Sequence, residues 1–314
     1  MMLQERHSST NRRRFLNTST GECIQVDLPE LQDHNVLAVT HESLLVLLHV
    51  DCTNLRLLNP FTRHLTQLPP LLTMLSPEEC HDLPFLNLHN KFKAWGSGIL
   101  NDDSTVVLRF NFNTRYIGIA KPGDMCWTRL ETPVLRAASM FAGRFYCFTN
   151  DGIMVLKDHP PRLEVAAKLC IRVSGVCDSA HLVDCAGQLM LVHRRFSRHY
   201  DRNNVAERRY DVYRVDLDAG TLSRVKSFGG VGHAMYIGMT CSFSVPIEAF
   251  PVGSITGDTI YLNVDIRESD KIEGYSLADR TITPAARGHH WAAQPYTLVD
   301  CLAFCNTHIW AGLK

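Results

Sequence analysis

The feature that most restricts the fold of this chain is a short hairpin-like unit that recurs along it. Each copy has a β-rich stretch, a polar turn and a second β-rich stretch, and it closes on a proline or an apolar residue. Four clear copies occupy residues 55–70, 116–130, 210–225 and 272–284. Antiparallel hairpins that recur at intervals of roughly 35 to 60 residues are typical of blades arranged around a common axis. The pattern therefore predicts an all-β protein, a β-propeller with few helices.

Two weaker copies of the unit, at residues 15–28 and 144–166, bring the number of outer hairpins to about six. We therefore expect about six four-stranded antiparallel blades in a single domain over residues 15–314. Residues 1–14 are polar and are predicted to form an N-terminal tail. Helical periodicity is sparse, which limits helices to ~10% of the chain, well below the usual third.

Residues that favour tight reversals separate the predicted strands. Asn59-Pro60, Asn150-Asp151-Gly152 and Ala186-Gly187 each lie between two β-rich stretches. Proline pre-sets φ, asparagine caps its own backbone, and glycine adopts positive φ without strain, so each is predicted to be a turn. Large aromatic residues in the strands are expected to form the core between packed sheets. The predicted core aromatics are Trp95, Phe110, Tyr116 and Trp127.

The overall composition excludes several classes of partner. The formal net charge is zero, from 32 basic and 32 acidic residues, whereas nucleic-acid and anionic-membrane binders normally carry a basic surplus. No run of 18 apolar residues is present, so no membrane span is expected, and no motif predicts a cofactor. The eleven cysteines include no Cys-x-x-Cys pair, and the start of the chain has no apolar leader. These features favour a reducing compartment, either the cytoplasm or the nucleus.

Several segments resemble a known family when they are taken in order. They are Leu-Leu-Asn-Pro-Phe-Thr at 57–62, Leu-Pro-Pro-Leu at 68–71, Ala-Lys-Pro-Gly-Asp-Met-Cys-Trp at 120–127, Gly-Asp-Thr-Ile-Tyr at 257–261 and Tyr-Ser-Leu-Ala-Asp at 275–279. Together they resemble the plant F-box-associated β-propellers of the KIB type, over roughly residues 15 to 300. The first two segments are the more specific ones.

The resemblance implies a role in protein recognition rather than an enzymatic one. In such proteins an F-box helix bundle docks on a Skp-type adaptor of a cullin ubiquitin ligase, and the propeller holds the protein to be ubiquitinated. Only the polar residues 1–14 precede the first hairpin here, and they do not resemble an F-box. We therefore expect a propeller that binds a protein partner and that has no recognisable adaptor-docking module of its own.

One polar stretch, residues 194–209, interrupts the strand pattern and is predicted to be a long hairpin loop. Its arginines are the best candidates for charged contacts with an acidic face of a partner. The candidate contact residues are Arg194, Arg195, Arg198, Arg202, Arg208 and Arg209. A solvated insertion without a partner remains an alternative for this stretch.

Two other functions remain open, namely a propeller hydrolase with carboxylates at the central channel and a truncated, non-functional paralogue. Carboxylates cluster at residues 102–103 and 265–270, and Gly229-Gly230-x-Gly232 is the nearest approach to a phosphate-binding loop. His289-His290 and the set Cys301, Cys305 and His308 are the nearest approach to a metal site. These patterns are better explained as turns, loops and core positions, because none has the spacing that its chemistry requires.

Overall fold

In the computed structural model, most of the described residues lie in β-strands. It covers residues 1–2, 11–50, 53–76, 94–100, 104–110, 116–169, 179–200, 206–229, 232–238, 241–263 and 272–284. Within these ranges the helices are three 3-10 turns, at Pro29–Leu31, Leu71–Met74 and Ile247–Ala249. None of the helices in the described ranges is long and apolar enough to cross a bilayer.

The strands form a two-stranded ribbon followed by five larger sheets, which we number as blades. The N-terminal ribbon contains β1 (Arg12–Leu16) and β2 (Cys23–Asp27). Blade 1 contains β3 (His34–Val39), β4 (Leu45–His49), β5 (Leu55–Leu58) and β6 (Leu65–Leu68). Blade 2 contains β7 (Ala94–Ile99), β8 (Val106–Phe110), β9 (Tyr116–Ala120) and β10 (Thr128–Glu131).

The remaining three blades follow in chain order. Blade 3 contains β11 (Ala137–Phe141), β12 (Arg144–Phe148), β13 (Gly152–Asp158) and β14 (Pro161–Lys168). Blade 4 contains β15 (Ser179–Cys185), β16 (Gln188–Tyr200), β17 (Ala206–Asp216) and β18 (Thr221–Val225). Blade 5 contains β19 (His233–Ile237), β20 (Phe243–Pro246), β21 (Thr259–Asn263), β22 (Ile272–Ser276) and β23 (Ile282–Pro284).

The blades are arranged around an axis. One edge strand of each blade lies next to the corresponding strand of the following blade, in the order β3, β7, β11, β15 and β20. These are the inner strands, and from each of them the sheet extends outwards. Radially arranged antiparallel sheets whose inner strands surround a common axis form a β-propeller. The predicted fold class is therefore confirmed, with five to six blades.

Apolar contacts between adjacent blades hold the ring together. Within the described residues, a separate buried cluster lies at each interface between successive blades and on each side of the N-terminal ribbon. Consecutive residues of a strand point to opposite faces of its sheet. Accordingly, Phe15 packs against Leu45 and Leu58 of blade 1, whereas Leu16 packs against Tyr236 and Val245 of blade 5. The ribbon thus lies between the first and last blades and links them.

The turns and most of the core aromatics occur where the sequence predicted them. The Asn59 side-chain Oδ1 accepts hydrogen bonds from the backbone N–H of Phe61 (3.0 Å) and Thr62 (3.2 Å). Ala186 and Gly187 have φ of 52° and 73°, as a two-residue hairpin turn requires. Three of the predicted core aromatics are buried, and the side chain of the fourth, Trp95, lies outside the described part. The buried three are Phe110, Tyr116 and Trp127.

Three details differ from the prediction. The outer hairpin predicted at residues 15–28 is the N-terminal ribbon, which begins at Arg12, so the predicted tail of residues 1–14 includes the start of a strand. Blade 5 has five strands, and β19 pairs in parallel with β21. The reason is that β20 folds back onto the inner edge of β19, after which residues 247–258 cross to its outer edge. An antiparallel meander cannot result from such a crossover.

A buried arginine provides an additional link between two blades. Arg109, on β8, is 4% exposed, and its guanidinium donates a hydrogen bond of 2.5 Å to the carbonyl of Leu135, just before β11. Burial lowers the pKa of Arg109 to about 10, which still leaves it charged at neutral pH. Burial also raises the pKa of the nearby Cys147 thiol to about 12, so this cysteine behaves as a small apolar core residue.

Candidate functional site

Five of the six candidate arginines lie on strands, and the sixth, Arg202, is outside the described residues. Arg194, Arg195 and Arg198 belong to β16. Arg208 and Arg209 belong to β17. The strands pair through Arg194–Tyr210, Arg195–Arg209 and Phe196–Arg208, and they meet again at Tyr200–Ala206. The predicted loop is therefore wrong for residues 194–200 and 206–209, which are the described part of this stretch. Arg202 lies outside the described residues, as do the side chains of Arg198 and Arg208.

The polar composition of residues 194–209 suggests a loop because this part of β16 and β17 extends beyond the described residues of β15 and β18. The neighbouring strand β15 begins at Ser179, opposite Arg194, and β18 ends at Val225, opposite Val212. Past these points the described residues of the two strands pair only with each other. A two-stranded extension has no apolar sheet on either side, so its sequence does not show the alternation of apolar and polar residues that identifies a half-buried strand.

A buried carboxylate organises the charged side chains at the base of this extension. The side chain of Asp211, on β17, is only 4% exposed, and its two oxygens bind Arg195 from β16 and Arg224 from β18. Both arginines keep roughly half of their side-chain surface exposed. Paired guanidinium groups offset the cost of burying a carboxylate. The cluster therefore holds two cations at the surface and carries a net positive charge.

Beside this cluster, a groove runs between the outer strands of blades 4 and 5. It has a volume of about 200 Å³. Its lining consists of Tyr210, Val212, Arg224, Val225, Lys226, Leu277, Ala278 and Arg280. Three of these residues are cations and none carries a carboxylate. We call this feature the basic groove.

Tyrosines stabilise the wall of the basic groove. The rings of Tyr210 and Tyr275 lie with their centroids 4.7 Å apart at an angle of 48°. Burial raises the pKa of Tyr275, while a hydrogen bond with the Tyr210 backbone and the positive charges of Arg280 and Arg209 act in the opposite direction. Arg209 therefore lies within electrostatic range of this wall. The ring contact joins blade 4 to blade 5 beside the groove.

None of the predicted arginines that the structure describes lines this groove. Arg195, bound to Asp211, lies on the face of blade 4 opposite to Tyr210 and Val212, and the exposed Arg209 affects Tyr275 only through its charge. Arg194 is 9% exposed and is near His181, so little of its side chain is accessible to a partner. Sequence reasoning missed Lys226 and Arg280, because they are far apart in the chain and only the packing of blade 5 on blade 4 brings them together.

A second polar cluster lies near the inner strands of the same two blades. The imidazole of His181, on β15, has Ser179 Oγ at 3.2 Å from Nε2 and Ser242 Oγ at 3.3 Å from Nδ1. Burial, followed by the charge of Arg194, lowers the pKa of His181 to about 4. In a Ser-His-Asp triad a carboxylate orients the imidazole and stabilises its charged form. Hydroxyls occupy both sides here, so the cluster is suited to linking blades rather than to nucleophilic catalysis.

The His181 cluster predicts a specific pH dependence of stability. The unfolded chain binds a proton at His181 below about pH 6.5, whereas the folded protein resists protonation until about pH 4. Stability should therefore fall as the pH drops through this range, by up to about 3 kcal/mol. Urea unfolding of the wild type and of His181→Gln between pH 7.5 and 4.5 checks this, because the variant should lack that part of the decline. Parallel curves for the two proteins would contradict the assignment.

The described residues give little support to the hydrolase, phosphate-binding and metal sites considered in the sequence. Among the inner strands in these ranges, Asp184 on β15 is the one carboxylate, and it accepts a hydrogen bond from the Gly187 N–H of its own hairpin. Gly229 and Gly232 lie between blades 4 and 5, in the predicted inter-blade connection. No group of metal-ligating side chains occurs in the described part of the chain. The other candidates lie outside the described residues, namely Asp102, Asp103, Asp265, Glu268, Asp270, His289, His290, Cys301, Cys305 and His308.

The ring of blades and the groove between two of them define a β-propeller with an inter-blade surface site. The model of the KIB1-4 beta-propeller family matches residues 15–282, and the chain belongs to this family. The resemblance found in the sequence is thus confirmed. A search of the curated proteins found no match.

Solved structures with a similar arrangement are distant from this chain. A streptogramin B lyase has 9% identity and a TM-score of 0.36, over 86% of this chain and 85% of the other. The N-terminal domain of Nup159 has 9% identity and a TM-score of 0.38, over 83% of this chain and 67% of the other. Virginiamycin B lyase from Staphylococcus aureus has 10% identity and a TM-score of 0.33, over 86% of both chains.

Proposed function

We propose that this chain is a non-catalytic protein-recognition propeller, and that it serves as the substrate-binding part of an SCF-type ubiquitin ligase. The basic groove between blades 4 and 5 is the observation that carries the proposal. It combines exposed cations with a wall of packed tyrosines. Arginine and tyrosine are the residues most often found at the energetic centres of protein interfaces. Membership of the KIB1-4 family supports a propeller role of this kind.

Recognition through this site would be non-covalent. The paired strands of β16 and β17 extend beyond blade 4 next to the groove and add area for a partner to contact. The exposed cations would speed the encounter with an acidic surface and fix its orientation. The rings of Tyr210 and Tyr275 are packed on each other before the partner arrives, so no entropy would be lost in ordering them on binding.

The competing hydrolase proposal is less well supported by the described residues. Glycoside hydrolysis needs two carboxylates at a set separation. The inner strands in the described ranges contribute Asp184 alone, and that carboxylate is bound within its own turn. The His181 cluster lacks a carboxylate to orient the imidazole. A binding role requires neither arrangement.

Affinity capture from the protein's native cells, followed by ubiquitination of the captured partner, tests the proposal. The tagged full chain is compared with Lys226→Glu/Arg280→Glu, which reverses two charges in the basic groove. The control is Arg144→Glu/Lys168→Glu, which makes the same change in charge at two exposed positions of blade 3. We expect a reproducible partner whose recovery falls at least about 10-fold in the groove variant and stays within about 2-fold in the control.

Two further results decide the ligase part of the proposal. Addition of a cullin ligase complex and ubiquitin should modify the captured partner only when this chain is present. Absence of any reproducible partner, or equal recovery with the groove variant and the wild type, would refute recognition through the groove. A partner that is captured but never ubiquitinated would leave the recognition role and remove the ligase role.

A further inference from the structure

We infer that the basic groove binds an acidic segment of the partner, through carboxylate or phosphate side chains. This inference rests on the proposed function and adds the chemical class of the ligand. Lys226 and Arg280 are exposed cations that line the groove, whereas the guanidinium of Arg224 is bound to Asp211. A concentration of one sign of charge in a concave surface attracts ligands of the opposite sign.

Two of the three positive charges that line the groove, those of Lys226 and Arg280, have no ion-pair partner within the described part of the chain. The nearest buried carboxylate, Asp211, is already shared between Arg195 and Arg224. Asp279, next to Arg280, accepts hydrogen bonds from the backbone N–H (3.1 Å) and Oγ1 (2.8 Å) of Thr281 in its own turn. Lys226 and Arg280 form no ion pair with any described residue. These two cations are therefore available to a ligand.

The size of the groove favours side chains of a larger molecule. Its volume of about 200 Å³ is below the roughly 300–1,000 Å³ of pockets that enclose small organic ligands. The apolar residues of the lining offer little surface to a ligand, because Val212 is fully buried and Leu277 is 6% exposed. One or two acidic side chains of a polypeptide segment would fill the groove and contact Lys226 and Arg280, while the rest of the segment lies on the surrounding surface.

A nucleic acid fits the same surface less well. Its phosphates are evenly spaced along a continuous backbone, so its binding depends on many cations along an extended track. The whole chain has no basic surplus, and the cations are concentrated at one blade interface. A short acidic segment needs only a local set of cations.

Peptide libraries test the inference directly. The immobilised full chain is offered three degenerate libraries that differ only in the central residue, which is phosphoserine, glutamate or serine. We expect the phosphoserine or the glutamate library to be retained at least about 10-fold better than the serine library at 0.15 M salt. Retention of phosphoserine alone identifies a phosphorylated segment, and equal retention of both identifies an acidic segment in general.

Variants separate binding in the groove from an effect of total charge. Lys226→Glu/Arg280→Glu should lose the preference, and Arg144→Glu/Lys168→Glu should keep it, because charges farther away than about 8 Å are largely screened. Lys226→Gln/Arg280→Gln removes the cations without adding acids, and it replaces the first variant if circular dichroism shows that variant to be unfolded. Equal retention of all three libraries, or equal losses in the groove and control variants, would overturn the inference, as would stronger binding of a single-stranded RNA oligonucleotide.

Failure of the acidic-ligand inference and failure of the proposed recognition role give different results. A partner captured through the groove whose binding survives both phosphatase treatment and replacement of its acidic residues would leave recognition in place and refute an acidic ligand. A clear preference for acidic libraries without any captured partner would support the ligand class and refute the proposed role in recognition.

Discussion

Replacement of Trp127 by alanine is expected to lower the free energy of unfolding by about 3–5 kcal/mol, as for other large aromatic residues removed from a core. Trp127 lies just before β10 and is 3% exposed. Its indole Nε1 donates a hydrogen bond of 2.9 Å to the carbonyl of Pro69, in blade 1. Its backbone N–H donates to Thr73 Oγ1 at 3.2 Å. Alanine would leave a cavity and break a link between two blades.

The contributions of packing and hydrogen bonding can be separated at this position. Trp127→Phe keeps an aromatic ring but leaves the Pro69 carbonyl without its donor, so we expect a loss of about 1–3 kcal/mol. Met125→Ala, two residues earlier and at an 88% exposed position, should change stability by less than about 0.5 kcal/mol. Urea unfolding at neutral pH measures all three variants. A Trp127→Ala protein as stable as the Met125→Ala control would show that the indole does not hold the blades together.

The contact of Trp127 with Pro69 joins two segments that the sequence identifies independently of each other. These are the Leu-Pro-Pro-Leu segment at 68–71 and the segment at 120–127, both of which resemble elements of the KIB-type family. In the structure they meet at the interface of blades 1 and 2, where Leu68, Leu71 and Trp127 belong to one buried cluster. Hairpins and turns depend on residues close in sequence, so they could be predicted from local patterns.

The candidate site was less predictable, because it depends on contacts between distant segments. The charge of the arginines at 194–209 makes them candidates in the sequence, but in the structure Arg194 is buried, whereas Arg195 and Arg209 are exposed. No local signal connects Lys226 with Arg280, which share the groove only through blade packing. The parallel pairing of β19 with β21 likewise follows from a crossover that strand patterns do not reveal. Such features depend on tertiary structure rather than on local propensity.

The N-terminal ribbon lies between blades 1 and 5, so substitutions that detach it are expected to destabilise the closed ring strongly. Phe15 is 2% exposed and Leu16 is 5% exposed, and they pack against blades 1 and 5, respectively. Phe15 also makes an edge-to-face contact with Phe61, with 5.1 Å between ring centroids. We expect Phe15→Ala to cost about 3–5 kcal/mol and Leu16→Ala about 2–5 kcal/mol. Urea unfolding measures both losses.

Hydrogen exchange can show whether the ribbon couples the two blades or only rests against them. If it couples them, either substitution should speed amide exchange in β3–β5 of blade 1 and also in β19 and β21 of blade 5, because each blade loses a packed neighbour when the ribbon detaches. Ile24→Ala changes the ribbon at a 50% exposed position opposite Phe15, and it should leave exchange in both blades unchanged. Faster exchange confined to the ribbon in the Phe15 and Leu16 variants would mean that the ring is stable without it. In that case the apolar contacts of the other blades would be sufficient to hold the propeller.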